Sequence, residues 1–146
     1  MNNRKITIEE TRKANQIYIF ALLIVLVASA EAIMLGKSKE LMDAFIALDP
    51  ANNADGYIGV VLINFFQNII EVVLIALYVF FTFKKHPFNS MFKIVFAIII
   101  GLKLVTHILK FNLTSVFYYL LVILYILFLY VILTVPTKRK VNDGLR

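Results

Sequence analysis

The sequence predicts an all-α integral membrane protein: a four-transmembrane-helix antiparallel bundle with a short interfacial helix in the first outer loop. Two observations carry that expectation. Of the 146 residues, 61% are hydrophobic and 16% charged, which is more apolar surface than a soluble domain of this size can bury. The apolar residues also fall in four continuous blocks, each close to the ~20 residues a helix needs to cross a hydrocarbon core. Continuous runs do not fit the alternating strands of a barrel, and an open sheet would leave backbone groups unpaired in lipid. With no internal repeat and no composition break, residues 1–146 read as one membrane domain.

The first block runs from Ile17 to Leu35. Ahead of it, Thr7 and Glu10 form a T-x-x-E capping pair, so the helix is expected to start before the apolar run. Ala28, Ser29 and Ala30 imitate a signal-cleavage pattern. The run nevertheless continues unbroken through Leu35, and Glu9 and Glu10 stand in the leading segment, so the first span is expected to be retained. Ala28, Ala32 and Gly36 make a small-residue stripe along which another helix can approach. In the following connection Leu41, Met42, Phe45 and Leu48 recur at helical spacing against Lys39, Glu40, Asp43 and Asp49, which predicts the interfacial helix. Pro50 ends it, and Asn52, Asn53, Asp55 and Gly56 make a polar turn. The remaining blocks are Tyr57 to Phe83, Met91 to Leu109 and Val116 to Val135. Their short connections predict that consecutive helices pack as antiparallel neighbours.

Orientation follows from the cations, because positively charged segments stay on the cytoplasmic side. With the N-terminus inside, eleven of the fifteen Lys and Arg residues are cytoplasmic: Arg4, Lys5, Arg12, Lys13, Lys84, Lys85, Lys93, Lys138, Arg139, Lys140 and Arg146. Lys37, Lys39 and Lys110 fall outside, and Lys103 lies within the third block. The expected location is therefore the cell membrane, multi-pass, with both termini cytoplasmic. The net charge of +6 then faces anionic lipid headgroups at the inner surface. Flanking cations without a folded soluble module do not make a nucleic-acid groove. The expected partners are the lipid bilayer, those headgroups, and a second copy or another membrane protein.

The absence of cysteine excludes disulfides, thiol chemistry, iron–sulfur clusters and thioether-linked haem. Asn112, Leu113 and Thr114 match a glycosylation sequon, but one that abuts the membrane. The turn from Asn53 to Gly56 resembles part of a calcium loop, yet Ala51 and Leu62 occupy ligand positions, so it reads as a simple turn. No metal or cofactor site and no catalytic set is expected.

Ionisable and amide residues inside apolar spans are costly and mark bundle interiors or solvated pathways. Apart from Lys93, counted above with the cytoplasmic cations, there are seven: Glu31 in the first span, Asn64, Gln67, Asn68 and Glu71 in the second, and Lys103 and His107 in the third. At about 100° per residue, the four on the second span share one face within an arc of roughly 100°. Lys103 and His107, four apart, stack on one face of the third and should meet that stripe. Depth along the helices predicts a polar shaft that opens outward and closes at Glu71, with Glu31 paired to Lys103 and His107 at the outer interface. Tyr125, mid-span, needs a partner for its hydroxyl and is placed to reach the stripe. Interhelical hydrogen bonding alone accounts for such residues at about 0.6–2 kcal/mol each.

The function expected from these features is that of a non-enzymatic accessory, regulatory or immunity-type membrane protein. The alternative is a subunit of an oligomeric small-solute or proton- or ion-coupled transporter using Glu71, Glu31 and Lys103.

Overall fold

In a computed structural model, residues 6–49, 51–85, 88–110 and 115–137 are described. They form five helices: α1 (Ile8–Lys37), α2 (Lys39–Leu48), α3 (Ala54–Thr82), α4 (Ser90–Leu109) and α5 (Val116–Leu133). Among the described residues there is no strand. Helices α1, α3, α4 and α5 are long and apolar enough to cross a membrane. The sequon at Asn112, His86, Pro50 and the basic runs at both chain ends lie outside the described residues.

Each helix start has a local chemical reason. Thr7 Oγ1 accepts from the Glu10 amide at 3.2 Å while the Glu10 carboxylate accepts from the Thr7 amide at 2.9 Å, completing the capping box. Helix α1 therefore begins at Ile8, ahead of the apolar run. Ser38 separates α1 from α2 by serving both. Its amide donates to the Leu35 carbonyl at 3.0 Å, and its hydroxyl accepts from the Leu41 amide at 3.3 Å. Asn53 Oδ1 caps α3 through the Gly56 amide at 2.7 Å, and Asn89 Oδ1 caps α4 through the Phe92 amide at 2.6 Å.

The core is built on a seven-residue rhythm. Helix α1 buries Ala14, Ile17, Ala21, Ile24, Ala28 and Glu31, and α5 buries Tyr118, Leu121, Tyr125, Phe128 and Ile132. Alternating steps of three and four are the seam of helices that pack knobs into holes at shallow angles. Alanine at every seventh position of α1 lets its neighbours approach closely. The small-residue stripe expected at Ala28, Ala32 and Gly36 is thereby corrected: only Ala28 is buried. The seam follows the seven-residue repeat, whereas steps of four drift off it. At Gly36 a Cβ would sit 3.8 Å from Ile58 Cδ1, an ordinary contact.

Helix α1 packs mainly on α3 and α5, and α4 packs on α5. Helices α3 and α4, although consecutive, meet over a short seam only. This departs from the expectation that every consecutive pair packs closely. At one end of the seam Tyr78 of α3 packs on Phe92 and Phe96 of α4, with ring centroids 5.8 and 5.1 Å apart. The rest is bridged by polar groups. Helix α2 buries no residue. It is held to α3 by the Phe45 ring, 5.7 Å from that of Tyr57, and Asn52 Nδ2 in the connecting turn donates to the Phe45 carbonyl at 2.8 Å.

Candidate functional site

The amide stripe of α3 looks in two directions. Asn68, 1% exposed, points into the bundle, Asn64 and Glu71 are half-buried, and Gln67 is exposed. A stripe about 100° wide is broad enough that its margins face different surroundings.

Across the seam, α4 presents Lys103 and His107, both buried. The Lys103 ammonium donates to the backbone carbonyl of Gln67 and lies 3.5 Å from Glu71 Oε2. Its carboxylate partner is thus Glu71, and the expected pairing with Glu31 is corrected. The reason is the order of the helices. Glu31 belongs to α1, which packs on α3 and α5, whereas Lys103 projects from α4 across the α3 seam. Glu31 is buried all the same.

His107, expected at the outer interface, stands in the last turn of α4 and is only 4% exposed. Two tyrosines of α5 close over it: Tyr118 stacks on the imidazole at 5.3 Å and 17°, and Tyr125 meets it edge-on at 5.5 Å and 67°. Neither ring nitrogen has a hydrogen-bond partner among the described residues, and neither has Asn68 Oδ1. Tyr125 is completely buried, and its hydroxyl donates to the Asn68 carbonyl at 2.5 Å, as its mid-span position predicts. Two consecutive carbonyls of α3 therefore accept a bond from outside the helix, one from α4 and one from α5.

Lys110, counted above among the outer cations, and Tyr118 also belong to this region. The Lys110 ammonium donates to Asn64 Oδ1 at 2.7 Å, and the Tyr118 hydroxyl donates to the Ile108 carbonyl at 3.0 Å. Periodicity held the signal for both. Lys110 follows Lys103 by seven residues and Tyr118 precedes Tyr125 by seven, so each pair shares a helix face.

Six of the seven predicted residues fall into two groups. Asn68, Glu71, Lys103 and His107 gather around Tyr125 and the α3–α4 seam. Asn64 and Gln67 join Lys110 at the end of an open groove. Glu31, the seventh, is buried on α1. Among the described residues, no three His, Asp or Glu side chains converge as a metal-ligand set. What the arrangement offers chemically is one ion pair with a partly exposed carboxylate, an unpartnered imidazole, and cross-helix hydrogen bonds. No protein-family model, curated protein or solved structure matches the chain.

Proposed function

We propose that the chain is a multi-pass protein of the cell membrane, with both termini at the cytoplasmic face and four antiparallel crossings. Four apolar helices of sufficient length support it, as do large side chains left exposed around their circumference, among them Leu22, Ile63, Phe80 and Ile123. The cross-helix bonds fit alternating directions. Lys13, early in α1, donates to Thr134 Oγ1 after α5 at 2.8 Å, and Tyr57, early in α3, donates to the Leu35 carbonyl late in α1 at 2.8 Å. The distribution of Lys and Arg supplies the orientation.

Within that membrane its role is non-enzymatic: an accessory, regulatory or immunity-type protein whose buried polar residues fix the packing of one bundle. The observation that carries this reading is the use to which those residues are put. Lys103 and Tyr125 each donate to a backbone carbonyl of α3, those of Gln67 and Asn68, and Lys103 adds the Glu71 carboxylate. Groups committed to tying helices together need no ligand to satisfy them.

A second reading, a subunit of an oligomeric small-solute or ion-coupled transporter, draws on two facts. The Glu71 side chain is 29% exposed beside Lys103, and both nitrogens of His107 lack partners. Glu71→Gln separates the two, because it keeps size and hydrogen bonding while removing titration. Under the packing role, a deletion strain complemented with Glu71→Gln behaves as wild type and the protein melts normally in detergent. Under the transport role, complementation fails although melting is unchanged.

A further inference from the structure

Although α2 buries nothing, its Leu41, Phe45 and Leu48, spaced four and three apart, line an open groove of about 530 Å³. That volume falls within the range of small-ligand sites. Val60 and Val61 of α3 form the facing wall, and from Tyr57 to Gln67 the groove follows α3 for about 15 Å. The lining becomes polar only where Asn64, Gln67 and Lys110 contribute to it. Lys110 is exposed, and among the described residues its ammonium donates one bond, to Asn64 Oδ1. An ammonium has three donors, so two remain for a ligand in the groove.

A long apolar slot with a cation at one end complements an amphiphile with an acidic head. We propose that the groove binds an anionic phospholipid, with its phosphate on Lys110 and Gln67 and one acyl chain between α2 and α3. The assignment rests on the membrane reading above and concerns the face opposite the cation-rich one. A soluble anion would make no use of the apolar walls. A partner helix, about 10 Å across, would cover Lys110 and have to neutralise it.

The chain has no tryptophan, so a single one introduced by Leu48→Trp reports from the groove, and Ile98→Trp reports from an exposed position on α4. Each full-length variant is reconstituted in phosphatidylcholine bilayers carrying either phosphatidylglycerol or phosphatidylcholine with brominated acyl chains. At position 98 both lipids should quench equally. At position 48 phosphatidylglycerol should be preferred about fivefold, the contribution of one cation near a membrane surface. Lys110→Gln should abolish that preference and Lys110→Arg should retain it.

Equal quenching at position 48, or a preference that survives Lys110→Gln, would overturn the site while leaving the membrane reading intact. Loss of the preference on adding inorganic phosphate would make it an anion site and overturn the lipid assignment. No quenching at either position would instead refute the membrane reading.

Discussion

A lysine in an apolar helix must bring its charge to water or to an acceptor. Lys103 takes the second course, because the Gln67 carbonyl and the Glu71 carboxylate stand across the seam. Breaking a fully buried pair costs roughly 3–5 kcal/mol. Glu71 is partly exposed, so Lys103→Leu is expected to destabilise by less, about 1–3 kcal/mol. Adding Glu71→Leu should recover most of that loss, since no charge is then left unpaired. Thermal unfolding of the two single variants and the double variant in detergent measures the coupling, and strict additivity would contradict the pair. His107 gives a complementary test. His107→Phe keeps a ring between Tyr118 and Tyr125 and removes two unpartnered nitrogens, so stability should stay within about 1 kcal/mol of wild type or rise. A clear drop in melting temperature would show that the imidazole makes a bond that the packing role lacks. The sequence located these residues through their cost in lipid, which needs no knowledge of neighbours. Partner choice was not legible in the same way. Whether Lys103 meets Glu31 or Glu71 depends on which helix stands beside α4, and spacing along one helix carries no information about that.

At the scale of elements, start signals were readable because they are local. The capping box at Thr7 and the polar turn at Asn53 involve residues three apart, so composition and spacing reveal them. Block boundaries were readable for a similar reason: Met91 to Leu109 was expected and Ser90–Leu109 is observed. The contact face of α1 was harder to find. Several small residues compete as candidates, and the choice between Ala21 with Ala28 and Ala32 with Gly36 is made by the seam with α3 and α5. The two versions differ in consequence. Ala21→Leu should overpack the seam and cost about 1–3 kcal/mol, whereas Ala32→Leu, at a half-buried position, should stay within about 0.5 kcal/mol of wild type. Comparable melting of the two variants would contradict the seven-residue seam.

For the whole molecule, helix length has a consequence of its own. At 1.5 Å per residue, α1 and α3, with 30 and 29 residues, run about 45 Å, while α4 and α5, with 20 and 18, run about 30 Å or less. The shorter pair matches a hydrocarbon core of about 30 Å and the longer pair exceeds it, so α1 and α3 must tilt or project. On the proposed topology, projection at the outer surface accounts for α2 standing beside α3. All of this depends on the chain crossing the bilayer four times with its cation-rich ends inside. The absence of native cysteine makes that directly measurable. Single cysteines introduced at Asn2, Ser90 and Asn142 are to be challenged in intact cells with a membrane-impermeant thiol reagent, alongside cysteines at Asn53 and Thr114. The account predicts labelling at 53 and 114, with protection at 2, 90 and 142 until the cells are opened. Labelling at 142 together with protection at 53 would contradict it.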